Sequence, residues 1–108
     1  MKLALVFFLV SCADDQGPLL TAVAPAQARA GATVMLQGER MCGQVDCAIA
    51  AGEIQIGLSP PVVLANIVAY GDTVATIVIP TVTPVGETVI VATVNERASN
   101  ELAFEVLP

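Results

Sequence analysis

Short apolar runs with a period of two, each ended by glycine or proline, constrain this chain more than any other feature. In residues 53–58, Ile54, Ile56 and Leu58 alternate with polar side chains, and Pro60 then interrupts the run. Successive side chains of a strand point to opposite faces, so this period predicts a strand with one buried face. Apolar residues make up 56% of the chain, and most are the aliphatic types common in strands. No window has the pattern of a good helix.

Turn residues recur at intervals of about 8 to 12 residues, the spacing typical of a β-sandwich. Residues 62–69 and 73–79 flank Gly71 and Asp72, so these two runs are expected to form a hairpin. Residues 88–94 are apolar on both faces, which predicts a central strand.

Seven such runs lie between residue 19 and the end of the sequence. The predicted strands are residues 19–24, 33–37, 53–58, 62–69, 73–79, 88–94 and 102–106. The side chains expected to point inward are Val34, Leu36, Ile54, Ile56, Leu58, Ala75, Ile77, Ile79, Leu102, Phe104 and Val106. We therefore expect one all-β domain over residues 19–108, an immunoglobulin-like Greek-key β-sandwich of about seven strands.

The N-terminus has the features of an export signal. Lys2 precedes an unbroken apolar run, residues 3–10. That run is as long as the hydrophobic part of a signal peptide and shorter than the roughly 18 residues needed to span a bilayer. It ends in Leu9-Val10-Ser11-Cys12, which resembles the bacterial lipobox, in which small residues precede a cysteine that is lipidated.

The lipobox resemblance divides the first 18 residues into two parts. It implies a lipoprotein signal peptide over residues 1–11, with lipidated Cys12 and a polar tether over residues 12–18. Ala13, and not Asp, follows the cysteine, which favours the outer membrane or cell surface over the inner membrane. The alternative is cleavage by ordinary signal peptidase near Ser11-Cys12-Ala13, which would release a soluble secreted protein.

The charged residues exclude one class of partner. Lys2, Arg29, Arg40 and Arg97 are the only basic residues, against ten acidic ones. No basic stripe exists to neutralise phosphates, so we expect no nucleic-acid partner.

The side-chain inventory also lacks the groups that most catalytic sites use. The chain contains no histidine, so it has no ordinary base for a catalytic triad. Its carboxylates fall on turns or on outward strand positions, without the apolar setting that acid–base catalysis usually needs. We therefore expect a protein that is not an enzyme, with no catalytic residues, no metal site and no cofactor.

Cys42 and Cys47 form an even pair once Cys12 is assigned to lipid. In an exported protein such a pair is expected to form a disulfide, here closing a small ring. The alternatives are a redox centre or a soft-metal site with Met41. A redox centre usually has two residues between its cysteines, and a metal site needs further ligands such as histidine.

The order of the turn and strand motifs is similar to that of a known family. The motifs are Val23-Ala24-Pro25, Ala30-Gly31-Ala32-Thr33-Val34, Leu36-Gln37-Gly38, Gly71-Asp72-Thr73, Ile77-Val78-Ile79-Pro80, Gly86, Val89 with Val91, Ser99-Asn100, and Phe104 with Val106. Together they look like an IPT/TIG domain covering nearly all of the chain after the tether. The resemblance implies an immunoglobulin-like fold and a scaffold or recognition role. It departs from the family after Gly38, where an insertion holds the two cysteines.

The candidate binding residues lie near that insertion. The loop over residues 39–48, with Arg40 and Met41, is the first candidate contact surface, because loops carry much of the function of β-sandwiches. Tyr70 is either an exposed contact or a ring packed over the core edge with its hydroxyl in water, and packing is favoured. The partner expected is another envelope protein. A glycan is the alternative, although sugar sites usually need stacked aromatic rings and the chain has one tyrosine and no tryptophan.

Overall fold

The computed structural model describes residues 17–43, 47 and 52–108, and they form strands joined by turns and loops. Cys12, the leader and most of the tether lie outside the described residues. The strands are β1 (Leu19–Ala24), β2 (Gln27–Arg29), β3 (Thr33–Glu39), β4 (Glu53–Ile56), β5 (Val63–Leu64), β6 (Asn66–Tyr70), β7 (Val74–Val78), β8 (Gly86–Val94), β9 (Arg97–Ala98) and β10 (Leu102–Leu107).

The strands form two sheets that pack face to face. One sheet has the order β1-β3-β7-β6, and the other has the order β2-β10-β8-β4-β5, with the short β9 paired to β8. All pairings are antiparallel except that of β2 with β10. This is the strand arrangement of an immunoglobulin-like sandwich. Seven of the strands, β1, β3, β4, β6, β7, β8 and β10, have four or more residues, which agrees with the predicted number.

The period-two pattern places the aliphatic side chains between the sheets. In β3 every second residue is buried, and Val34 and Leu36 lie opposite Ile77 and Ala75 of β7. All four side chains are buried. The outward residues of β3 are Thr33, Met35, Gln37 and Glu39. The amphipathic pattern therefore sets both the faces and the register of this sheet.

The core is almost entirely aliphatic. Phe104 is its only fully buried aromatic side chain in the described residues. Of the predicted inward residues, Leu102 is half-buried against this core, Leu58 is exposed, and the others are all buried.

Three local features differ from the sequence-based predictions. Strand β4 ends at Ile56, because Gly57 adopts a φ of +98° that turns the chain, and Leu58 is 54% exposed. Residues 62–69 are two strands that belong to different sheets, since β5 pairs with β4 and β6 with β7. The three-residue β2, which pairs in parallel with β10, is too short to give a periodic signal.

A side-chain clasp joins the two sheets near the start of the fold. The Leu20 amide donates to Asn100 Oδ1 (2.8 Å), and Asn100 Nδ2 donates to the Leu20 carbonyl (3.0 Å). Ser99 Oγ accepts a hydrogen bond from the Ala92 amide at 2.8 Å. These contacts tie β1, the segment before β10 and the central strand β8 together across 80 residues of sequence.

The sandwich has two poles that are used below. At the N-terminal pole, the Arg40 Nε donates to the Gly17 carbonyl (3.1 Å) and the Met41 amide to the Asp72 carbonyl (3.0 Å). We define this pole as Gly17 and residues 40–43, 71–73 and 95–97. At the C-terminal pole, Gly31 donates to the Ile79 carbonyl and Arg29 Nε to the Pro108 carbonyl. We define it as residues 30–32, 57–62 and 79–86, with Pro108.

The described residues contain no helix with the length and hydropathy needed to cross a membrane.

Leu36→Ala is expected to lower the free energy of unfolding by about 2–5 kcal/mol, because it leaves a cavity between the sheets. Met35→Ala is the matched control, since Met35 precedes it in β3 but is 45% exposed on the outer face. Its expected loss is below about 1 kcal/mol. Urea unfolding followed by circular dichroism measures both, and equal losses would contradict the assigned faces.

Candidate functional site

The two cysteines of the insertion form a disulfide. Cys42 and Cys47 are bonded, with their Cα atoms 5.0 Å apart, so the predicted pairing is confirmed. Cys42 is 1% exposed, which means that the bridge starts inside the fold. The ring is small, and the chain-entropy contribution of such a bridge is about 2 kcal/mol.

The turn between β6 and β7 holds the start of this loop. Asp72 accepts two hydrogen bonds from it, from the Cys42 amide to its Oδ1 (3.1 Å) and from the Met41 amide to its backbone carbonyl (3.0 Å). The Gly38 amide donates to the Thr73 carbonyl at 2.9 Å. The disulfide loop is therefore attached to the edge of the four-stranded sheet.

Tyr70 completes this attachment from the end of β6. Its hydroxyl donates to the Met41 carbonyl at 2.5 Å, and its ring packs against the core. Burial, and secondarily the negative charge of Asp72, raise the pKa of Tyr70 above its ordinary value. The phenol passes so close to Gly52 that a larger residue would clash there, since a Cβ at this position would lie 2.5 Å from the Tyr70 hydroxyl oxygen.

The structure brings Tyr70 into contact with Met41, next to Arg40, but the three predicted contact residues do not form one exposed face. The packing of the Tyr70 ring agrees with the favoured interpretation, but its hydroxyl is bonded to protein and is not free in water. Met41 is 0% exposed, so its assignment to a binding surface is wrong. Arg40 remains partly exposed, while binding the Gly17 carbonyl and pairing with Glu39 at 3.6 Å.

The direction of Met41 follows from the backbone of the turn. Arg40 has a φ of +56°, and this left-handed residue reverses the chain so that the next side chain points inward. A residue beside a charged one in a turn is expected to be exposed, and the sequence pattern does not encode this reversal.

One group of potential metal ligands is present in the described residues. The ligand atoms of Cys42, Cys47 and Asp72 lie within 4.8 Å of one another. Both sulfur atoms are consumed by the disulfide, so neither is a thiolate that could bind a soft metal. With the disulfide formed, the Asp72 carboxylate is the one potential metal ligand left in this cluster.

The C-terminal pole, which the sequence analysis did not single out, carries four of the nine exposed large apolar side chains of the described residues. Its exposed apolar side chains are Leu58 (54%), Val62 (39%), Val82 (75%) and Val85 (61%). They lie on loops that contain Pro60, Pro61, Pro80 and Pro84. Loops are usually polar, so apolar residues next to turn prolines are the sequence signal that could have identified this surface.

A cleft of about 340 Å³ lies between these loops. Leu58 and Pro61 line one side, and Pro84 and Val85 line the other. Both walls are fixed by hydrogen bonds. Gln55 Nε2 donates to the Gly57 carbonyl (2.8 Å), and Thr83 Oγ1 donates to the Pro80 carbonyl (2.7 Å).

A second, more open concavity of about 630 Å³ adjoins the cleft on the outer face of the β2-β10-β8 portion of the sheet. The two share Glu87, Thr88 and Val89. Glu105 and Gln27 also line the concavity, and none of the residues lining either space is Lys or Arg. We call the two together the polar–apolar groove.

Known structures share this fold at low sequence identity. A fungal alcohol oxidase of the AA5 family, in complex with copper, matches with a TM-score of 0.64 and 15% identity over 86% of this chain and 21% of the oxidase. A surface glycan-binding protein from Prevotella bryantii matches with a TM-score of 0.61 and 19% identity over 81% of this chain and 19% of that protein. A putative phosphatase from Bacteroides thetaiotaomicron has a TM-score of 0.55 and 13% identity, over 86% and 19%.

These matches show the fold. The chain spans about a fifth of the length of each of the three proteins. No protein-family model matches the sequence, and no curated protein matches it.

Tyr70 is the only tyrosine, so an ultraviolet titration of tyrosinate reports its pKa directly. We expect a midpoint above the ordinary value of about 10. The unfolded chain then loses this proton at lower pH than the folded chain, so the free energy of unfolding falls as pH rises past about 10. Tyr70→Phe removes this fall and, by deleting the bond to Met41, lowers stability at pH 7 by about 0.5–1.5 kcal/mol. A midpoint at or below 10 would contradict the burial of the phenol.

Proposed function

We propose that this chain is an exported, membrane-anchored lipoprotein. We propose further that its sandwich, which resembles an IPT/TIG domain, is a non-catalytic module that binds another protein of the cell envelope. The exposed apolar C-terminal pole carries this proposal. Water-exposed loops of a monomeric domain have no folding reason to present Leu58, Val82 and Val85 together, and such patches commonly mark protein contacts.

The geometry of the fold supports this pole over the disulfide loop as the contact surface. Cys12 precedes Gly17 by five residues, and five residues reach at most about 18 Å. A lipid on Cys12 would thus hold the N-terminal pole, with its disulfide, near the membrane. The C-terminal pole would then face away from the membrane, where a partner has access.

The absence of catalysis in this proposal rests on side-chain chemistry. The sequence has no histidine, and the disulfide occupies the two described cysteines. The hydroxyls in the lining of the polar–apolar groove, those of Ser59, Thr83 and Thr88, have no histidine or lysine beside them in that lining.

The anchor is tested by the intact mass of the protein purified from the membrane fraction, with and without reductant. We expect a species that begins at Cys12, is heavier by its acyl chains, and gains two hydrogens on reduction of Cys42–Cys47. Cys12→Ser should leave the chain out of the membrane fraction. A lipid-free species beginning beyond Ala13 would mean a secreted domain and would overturn the anchor alone.

The module is tested by photocrosslinking in cells that carry p-benzoylphenylalanine in place of Val82. We expect an adduct with an envelope protein, weakened by Leu58→Ser/Val85→Ser, which removes apolar contacts beside it. The matched control carries the same photoreactive residue in place of Val68, which is 64% exposed on the distant strand β6. Equal adducts from both positions, or none from position 82, would contradict the proposal.

Glycan binding is the second candidate, favoured by the likeness to the surface glycan-binding protein from Prevotella bryantii. The groove, however, contains no exposed aromatic ring, because Phe104 is buried and Tyr70 lies on the other sheet. Retention of the chain on immobilised glycans that is kept in Leu58→Ser/Val85→Ser would favour this candidate over a protein partner.

A further inference from the structure

Two glutamates are paired on neighbouring strands of the six-stranded sheet. Glu87 of β8 and Glu105 of β10 are direct cross-strand partners. Like charges placed directly opposite each other in an antiparallel pair repel and destabilise the sheet. The fold therefore keeps an unfavourable pair on the floor of the wider part of the polar–apolar groove.

The described residues provide no cation for this pair. Arg29 is the arginine on the neighbouring strand β2, but it lies opposite Leu107 and its Nε donates to the Pro108 carbonyl at 3.0 Å. Arg40 pairs with Glu39 at the other pole. Glu87 and Glu105 are thus available to an external cation.

The apolar part of the groove is continuous with the acidic part. Glu87 borders both spaces, with the cleft of Leu58 and Val85 on one side and Glu105 on the other. A ligand that fills the groove must accordingly present an apolar group and a positive charge close together. Side chains one to three residues apart in an extended segment meet this spacing, since each residue advances about 3.3 Å.

We propose that the groove binds an extended segment of a partner protein in which a lysine or arginine lies near an apolar residue. The apolar side chain enters the cleft, and the cation lies over Glu87 and Glu105. Complementary charge selects the partner and its register, while apolar contact supplies binding energy. This inference rests on the proposed function, because it names the chemistry of the partner that the module would bind.

The net charge of the chain favours this occupant over a second copy. The chain carries a formal charge of −6, and none of the described residues on the exposed apolar loops, 57–62 and 79–86, is basic. From this pole a second copy would bring only Arg29, whose Nε already donates to its own Pro108 carbonyl, whereas a basic segment of another protein would bring a cation that is not engaged in this way.

The test is a selection of a random peptide library on the purified chain, with one enriched peptide then titrated by NMR. We expect enriched sequences to hold Lys or Arg within three residues of an apolar side chain. Amide shifts should concentrate in residues 57–61, 84–89 and 103–105. Affinity should fall with rising salt, because the charged contacts are exposed.

Charge variants distinguish peptide binding at the groove from nonspecific binding of peptides to the chain. Glu87→Lys/Glu105→Lys should weaken the enriched peptide about tenfold or more, as expected for lost charge-assisted contacts. Glu53→Lys/Glu101→Lys changes the net charge equally at positions outside the groove, and it should leave affinity within about twofold. Glu87→Gln/Glu105→Gln, which removes the repulsion, keeps the test valid if the lysine variant fails to fold.

Three results would overturn the inference: no enriched peptide, enriched peptides without a basic residue, or shifts centred on the N-terminal pole. Dimerisation of the chain that shifts the same amides would mean that a second copy occupies the groove, and this result would also overturn the inference. Crosslinking at position 82 that persists in Glu87→Lys/Glu105→Lys would leave the proposed function standing and reject the basic segment. If the photoreactive residue at position 82 gives no adduct in a chain without other substitutions, while peptides are still enriched, the envelope partner is rejected.

Discussion

The packing of alternate aliphatic side chains between two sheets is the constraint on which this structure depends. Each fully buried Leu, Ile or Val contributes about 1.5–3 kcal/mol, against a conformational entropy cost of similar total size. With Phe104 as the only aromatic side chain fully buried in the described core, no single large residue dominates. Stability is therefore spread over many small contacts.

Much of the fold could be predicted from the sequence because this packing leaves a direct trace in it. The inward positions of β3 and β7 follow from period two, and the central place of β8 follows from its two apolar faces. The exposure of Leu58 and the presence of β2 were not predicted, for two different reasons. The positive φ of Gly57 ends strand β4 although the sequence stays periodic as far as Leu58. The parallel pairing of β2 involves only three residues and has no local sequence signature.

The site could be predicted less well, because it depends on directions and distances that periodicity does not record. The Cys42–Cys47 bridge was accessible from cysteine number and compartment. The burial of Met41 follows from the left-handed turn at Arg40, and the juxtaposition of Glu87 with Glu105 follows from strand register. Neither the burial of Met41 nor the pairing of the two glutamates can be inferred from the order of the residues alone. The apolar loops around the prolines were visible and were interpreted only as turns.

The position of the two ends of the fold has a mechanical consequence. Gly17 lies at one pole and Pro108 at the other, and the long strands run between them. Tension applied from pole to pole would load the hydrogen bonds between β1 and β3, and between β10 and its neighbours, along the strand direction. Bonds loaded in shear must break together, whereas bonds pulled open from one end break singly. A domain of this geometry is suited to remain folded under tension applied between its two poles.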